Sequence, residues 1–327
     1  MHGIHSVYTM HYSYVYITFI IDKPFMIYLQ NFDLMTRDEE EDYLMGFNRT
    51  CFDSYYPLGI FSYEKNLNHL EFSDITIFCG GNGSGKSTLL NIIAEKLELN
   101  RQTCFNKTYF FNPYIENCHY DLNVYDSEKL RDFRRVSKII TSDDVFNHII
   151  EVRRKNENLS FKRNLIFEEK SKMSLYGGNY KQEAPRSVNM DNPASIKAFS
   201  DYVAKTKMTA SSYVRKKIGF EERTYSNGEN GFKYFTDAIQ PGGLYLLDEP
   251  ENSLSAEMQL ELVHFLHGMV RFYDCQFILS SHSPFILSLP NARIYNMDSE
   301  PVNMCRWTEL PNVKIYRDFF NDHQAEF

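Results

Sequence analysis

Gly80-Gly81-Asn82-Gly83-Ser84-Gly85-Lys86-Ser87-Thr88 fits the phosphate-loop pattern G-x-x-x-x-G-K-[ST] at every fixed position. Asp74-Ile75-Thr76-Ile77-Phe78-Cys79 precedes it, an apolar run rich in β-branched residues that reads as a strand. Leu89-Leu90-Asn91-Ile92-Ile93-Ala94-Glu95-Lys96-Leu97 follows it with the apolar period of a helix. Strand, glycine loop and helix together are the context the motif needs. Glycines at 80, 81, 83 and 85 let the backbone turn at positive φ and aim its N–H groups inward as an anion nest. The helix start adds the positive end of its dipole. Lys86 is expected to reach the β- and γ-phosphates, and the Ser87 hydroxyl to ligate Mg²⁺. Thr88 is expected to add a phosphate contact. A glycine-rich turn that binds nothing explains the glycines but not the Lys-Ser pair.

Three further segments lie downstream. Gly243-Leu244-Tyr245-Leu246-Leu247-Asp248-Glu249-Pro250 reads as a central parallel strand, covered on both faces and ending in two carboxylates. Ligands of open α/β sheets sit outside the carboxyl ends of the strands, which places both acids beside the phosphate loop; Asp248 is expected to hold Mg²⁺ directly or through water, and Glu249 to polarise the attacking water. Phe277-Ile278-Leu279-Ser280-Ser281-His282-Ser283-Pro284 is another apolar strand, with His282 coming 34 residues after Asp248. A histidine there can reach a γ-phosphate; a satisfied surface histidine is the plain alternative. Tyr225-Ser226-Asn227-Gly228-Glu229 comes before Asp248, with Ser226 22 residues ahead of it. Ser226 and Gly228 can serve an anion at a second helix terminus, read as Glu229–Ile239. Taken in isolation, Ser226 with Glu229 three residues on reads first as an ordinary capping box.

In this order and spacing, the four segments resemble the ABC-class ATPase head. Glu229 is similar to the SMC and RecF-type members; transporters usually carry Gln there. Glu251-Asn252-Ser253-Leu254-Ser255 falls where that class has its D-loop. Ser281-His282-Ser283-Pro284-Phe285-Ile286 and the ending Ala292-Arg293-Ile294-Tyr295-Asn296-Met297, read as a last strand, resemble stand-alone bacterial "AAA family" ATPases of the class. The resemblance covers roughly residues 26–125 and 218–310.

The resemblance implies a P-loop NTPase of the α/β class with a mixed or parallel sheet. It implies ATP and Mg²⁺ as ligands, with ATP sandwiched in a homodimer. The phosphate loop, from Gly80, Asn82, Gly83, Ser84 and Gly85 to Lys86, Ser87 and Thr88, then faces Ser226, Gly228 and Glu229 of the other subunit. Glu249 becomes the hydrolytic base and His282 the switch. Tyr225 and Asn227 depart from the commoner Leu and Gly of the signature. The Q-loop glutamine has no assignment; Gln102, Gln182 and Asn112 are the residues weighed.

A chain of 327 residues suits one large α/β domain with an insert. We divide it into an extension, 1–25, an ATPase core, 26–125 with 218–327, and an inserted, mostly helical arm, 126–217. A further strand is expected near Thr108–Phe111. The acidic run Asp38-Glu39-Glu40-Glu41-Asp42 suits a loop or a helix start. The arm lacks sustained heptads, which excludes a long coiled coil. The net charge of −8 is uneven: 21 Lys and Arg face 14 Asp and Glu between 126 and 225, an excess of +7, and the remainder carries −15. A basic stretch permits DNA as a partner, and solvated helix faces explain it equally well.

Six cysteines with no C-x-x-C pair fit a reducing cytoplasm, with Cys79 and Cys275 as buried thiols. The longest apolar stretch near the start, Tyr14 to Ile21, is far short of the roughly 20 residues a spanning helix needs. No signal-peptide pattern precedes it. Residues 1–25 read as a strand-forming extension or as the product of an upstream start codon.

The leading expectation is therefore a soluble, cytoplasmic, ATP-hydrolysing dimer serving a DNA-associated or anti-phage defence process, with a nuclease or other effector as partner. The soluble subunit of a transporter and a nucleotide-dependent switch with little turnover are the alternatives.

Overall fold

The structure is a computed structural model that describes residues 26–47, 51–124, 126–175 and 227–327, with short pieces at 193–195, 197, 211 and 214. Its centre is a six-stranded sheet in the order β5 (Lys138–Thr141), β6 (Leu244–Asp248), β7 (Gln276–Ser280), β3 (Ile75–Cys79), β8 (Arg293–Asn296) and β9 (Asn303–Met304). The first five strands are parallel and β9 is antiparallel. A second, antiparallel sheet has the order β2 (His69–Glu71), β1 (Leu29–Asp33), β4 (His119–Leu122). The architecture is the mixed α/β one expected.

Successive residues of a strand point to opposite faces, so each central strand feeds two cores. Phe78, Leu244, Leu246 and Ile278 face a core shared with the second sheet and α2 (Lys86–Lys96). Ile75, Ile77, Tyr245, Leu247, Phe277 and Leu279 face a core shared with α6 (Asn227–Ala238) and α7 (Ala256–Tyr273). All ten of these residues are at most 1 % exposed. Burial on both faces is why these strands read as continuous apolar runs rather than alternating ones.

The two sheets are joined by a polar clamp. Gln276, fully buried at the start of β7, accepts hydrogen bonds from the N–H groups of Tyr28 and Leu29 at 2.9 Å each. Its Nε2 donates to the carbonyls of Leu29 and Ser73, also at 2.9 Å. The carboxamide thus uses two donors and two acceptor positions.

The acidic run forms a helix, α1 (Arg37–Met45), closed at its start by a capping box between Thr36 and Glu39. Within it Glu40 is buried and accepts from Gly59 N–H at 2.8 Å and Ser62 Oγ at 2.6 Å. Burial holds its carboxyl above the usual carboxylate range, offset in part by the bonds from Ser62 and Gly59.

The strand expected near Thr108–Phe111 is not formed. Thr108 to Phe110 make a turn into α3 (Phe111–Glu116), in which Phe111, Tyr114 and Ile115 are buried. Phe110 and Phe111 pack in the core while Tyr109 stays exposed, and Pro113 sits in the first turn, where a missing N–H costs nothing.

Two elements of the stretch read as the arm belong to the sheet body: α4 (Ser127–Val136) and β5. β5 lies parallel to β6, with Thr141 opposite Asp248. The chain then turns directly into α5 (Ser142–Leu175), a helix of 34 residues. The turn is set by Asp144, whose Oδ2 accepts from Thr141 N at 2.8 Å and Thr141 Oγ1 at 3.1 Å, while Asp144 N donates back to Thr141 Oγ1 at 3.3 Å. Among the described residues, no helix is long and apolar enough to cross a membrane. Cys79 and Cys275 are buried, and burial pushes the Cys79 thiol up to about 12.

Candidate functional site

Parallel strands place their carboxyl ends on one edge. That edge collects the phosphate loop after β3, Asp248 and Glu249 after β6, Ser280 to Ser283 after β7, and Thr141 at the end of β5. The site is built there because the topology brings four loops together, which is the general rule for open α/β sheets.

The loop takes its shape from two glycines. Gly83 and Gly85 sit at φ +83° and +92°, where a side chain is strained. Gly85 is also crowded: a Cβ there would lie 3.1 Å from both Ile60 and Phe61. Gly85 caps α2, whose N-terminus opens on the loop. The cleft over it has a volume of about 520 Å³ and is lined by Tyr56, Ile60, Glu249 and the run Asn82–Thr88. Gly80 lies below, packed against Ser84 and Asp298.

Lys86 is 4 % exposed, and its ammonium donates to the carbonyls of Gly80 at 2.7 Å and Gly81 at 3.0 Å. It lies 3.8 Å from Glu249 Oε1. Ser87 Oγ donates to Asp248 Oδ1 at 3.0 Å, and Ser280 Oγ donates to the same oxygen at 2.5 Å. Burial holds the Asp248 carboxyl above the usual carboxylate range; the bonds from Ser280 and Ser87 work against that rise. Ser84 Oγ is buried with no partner among the described residues. Thr88 Oγ1 accepts from Tyr56 OH at 3.1 Å.

Glu249 takes the left-handed conformation, φ +47° and ψ +56°. For a non-glycine residue that costs about 1–2 kcal/mol. The strain is held by its neighbours. Its N–H donates to the Ser280 carbonyl at 3.1 Å and to Ser280 Oγ at 3.0 Å, and Asn252 Nδ2 donates to its Oε2 at 2.9 Å. The carboxylate is thereby turned into the cleft beside Lys86.

His282 lies on the same sheet edge, its side chain about half exposed. It lines the neighbouring cavity, with Glu251 and Phe285, rather than the cleft over the loop. Gly228 does not reach the cleft either; its Cα faces Ser253, Ser255 and Met258. Glu229 lies in α6 with it, and Ser226 lies outside the described residues. Of the residues weighed for the Q-loop, Gln102 accepts from Tyr234 OH at 3.1 Å, Asn112 lies in α3, and Gln182 is outside the described residues. The strand end beside Asp248 carries Thr141 instead, hydroxyl to hydroxyl with Thr103 at 3.0 Å.

The family model described as ABC transporter matches residues 67–252, from just before β2 to the turn after β6. The chain belongs to this ABC ATPase family. A second model, an AAA domain described with the AbiEii toxin of type IV toxin–antitoxin systems, matches residues 234–288. This ABC ATPase is similar to the SMC head domain of Pyrococcus furiosus, crystallised with the C-terminal domain of ScpA: 12 % identity, TM-score 0.39, covering 89 % of this chain and 99 % of that one. It is also similar to the SMC head domain of Thermotoga maritima (14 %, TM-score 0.36, covering 86 % and 99 %). A third is an ATP-binding cassette in a dimeric, post-hydrolysis state with ADP and Pi (15 %, TM-score 0.32, covering 72 % and 88 %). No curated protein matches the chain.

Four contacts of the ABC ATPase site escaped the sequence. Ser280 bridges Asp248 and Glu249. Asp298, just past β8, accepts from Gly81 N–H with both oxygens, at 2.8 and 3.0 Å. Tyr56 and Ile60 line the cleft from a loop with no periodic pattern. Glu251 binds the loop that carries His282. Only Ser280 left a signal: a polar residue ending an apolar strand.

Proposed function

We propose that this ABC ATPase binds ATP with Mg²⁺ at the carboxyl edge of the sheet and hydrolyses it. The observation that carries the reading is the Ser87–Asp248 hydrogen bond, made between a helix start and a strand end 161 residues apart, beside Lys86 and Glu249. The residues fit the ligands. Ser84 Oγ is buried and unpaired, and the Lys86 ammonium rests on two loop carbonyls that triphosphate oxygens can replace. A hydroxyl and a carboxylate are oxygen donors of the kind Mg²⁺ takes, alongside phosphate oxygens and water.

Each residue then has a task. Loop N–H groups and Lys86 bind the β- and γ-phosphates. Ser87 and Asp248 would hold Mg²⁺, which when bound draws charge off the phosphate oxygens. Glu249, already turned into the cleft, orients water for in-line attack. His282 senses the γ-phosphate. Catalysis of this kind is positioning and charge stabilisation.

We further propose that two copies close on the nucleotide. The cleft as built within one chain lacks Gly228 and Glu229; Gly228 faces Ser253, Ser255 and Met258 instead. A partner copy supplying Ser226, Gly228 and Glu229 completes it. The Glu249→Gln variant is the test: with ATP and Mg²⁺ its molar mass by light scattering should double, and without ATP it should not. A mass that stays that of one chain with ATP bound contradicts the dimer.

For the use of hydrolysis we infer a DNA-associated or anti-phage defence process, with a nuclease or other effector as partner. α5 supports it, a helix about 50 Å long with Arg153, Arg154, Lys155 and Lys162 exposed along it. So does the match to the domain described with AbiEii. Affinity for duplex DNA should fall steeply with salt if the arm binds phosphates. A flat salt dependence counts against DNA.

A further inference from the structure

The loop that carries His282 is held from two sides by residues outside its own strand. Oε1 of Glu251 accepts from Ser281 Oγ at 2.8 Å, from His282 N–H at 2.9 Å and from Ser283 N–H at 3.2 Å. On the other side, Nδ2 of Asn312 donates to the His282 carbonyl at 2.9 Å. Asn312 belongs to α8 (Pro311–Asp322). Both peptide groups of His282 are thus fixed by side chains about thirty residues away along the chain, in opposite directions.

Glu251 is 7 % exposed. A carboxylate is costly to bury unless hydrogen bonds replace its water, and three donors on one oxygen do so. The other oxygen, Oε2, has no partner among the described residues. The His282 ring stands beside it, Nδ1 lying 3.8 Å from Glu251 Oε1.

The turn Pro250–Ser253 holds the other half of the chemistry too. Asn252 in that turn donates to Glu249 Oε2, while Glu251, the residue before it, binds the histidine loop. One turn therefore ties the carboxylate proposed to orient water to the loop that carries His282.

We infer that Glu251 and Asn312 are positioning residues that fix His282 relative to Glu249. The inference rests on the ATPase reading above. It assigns a task to the fourth residue after Leu247 and to a C-terminal helix, which the phosphate-loop chemistry leaves without one.

The test is kcat and KM for Mg-ATP in Glu251→Ala, Glu251→Gln and Asn312→Ala, each made in the unmodified chain and again with His282→Ala. Misplacing a reacting group by an ångström costs up to about 100-fold, so the two alanine variants should lower kcat about 10- to 100-fold and leave KM unchanged. Glu251→Gln should recover most of that loss, because its oxygen accepts from the same three donors. With His282→Ala in place, none of the three should lower kcat further, since residues acting through one group are not additive. An equal fractional loss in the His282→Ala background, or an unchanged kcat in both alanine variants, overturns the inference. If Glu251→Ala does not fold, Asn312→Ala, on a half-buried side chain, and Glu251→Gln decide it. Should the unmodified chain release no phosphate from Mg-ATP, the ATPase reading falls and this inference with it. An active parent with additive variants overturns this inference alone.

Discussion

At the amino end of β7 the Gln276 carboxamide uses every hydrogen-bonding position it has, on Tyr28, Leu29 and Ser73. At the carboxyl edge the pattern reverses. Ser84 Oγ is buried with no partner among the described residues, Lys86 rests on loop carbonyls, and Glu249 sits in a strained backbone conformation. Both regions bury polar groups between the same strands. One is satisfied and closed; the other holds unmet hydrogen-bonding capacity at the site proposed for a triphosphate. The difference separates a polar group that joins two layers from polar groups held ready for a ligand.

The comparison predicts that substitutions at the two ends divide activity from stability. The largest effect belongs to the carboxyl edge. Glu249→Gln should cut phosphate release about 100- to 10,000-fold, the usual contribution of a positioned general base, while ATP binding is kept. Relief of the acid beside Lys86 and an unchanged melting temperature should accompany it. Lys86→Ala should instead remove ATP binding, measured by a fluorescent ATP analogue; unchanged binding would remove the phosphate-loop argument.

At the amino end, Gln276→Leu should do the opposite. It leaves two N–H groups and two carbonyls unpaired, a loss of about 2–4 kcal/mol in denaturant unfolding. KM for ATP should not move. A large change in KM with little change in stability would break the comparison.

The smallest effect concerns Glu40, whose carboxyl burial raises in the folded chain. Between its unfolded value near 4.5 and the higher folded value, the folded chain holds a proton that the unfolded chain has released. Its contribution is therefore full in acid and is lost as pH rises through that window. Glu40→Gln should remove that loss, so that denaturant unfolding shows the variant gaining on the unmodified chain at pH 7 relative to pH 4.

What was legible in the sequence was local. The phosphate loop, the apolar strands ending in Asp248 and in Ser280-Ser281-His282, and the strand Arg293–Asn296 all carry their signal within a dozen residues; that strand was read as the last, but β9 follows it and pairs with it antiparallel. The contacts that complete the site carry no such local signal. Gln276 meets Leu29 across 247 residues, and Asp298 meets Gly81 across 217. Neither pairing leaves a trace in spacing. β5 was hidden because Lys138-Ile139-Ile140-Thr141 lies in a basic stretch and is short. Thr108–Phe111 shows the converse error: a β-prone composition that forms a turn burying Phe110 and Phe111.

The direct test of the whole account is phosphate release from Mg-ATP by the unmodified chain and by Glu249→Gln, read alongside bound ATP. The account predicts steady turnover in the first and retained, unhydrolysed ATP in the second. No turnover in the unmodified chain, or equal turnover in both, would contradict it.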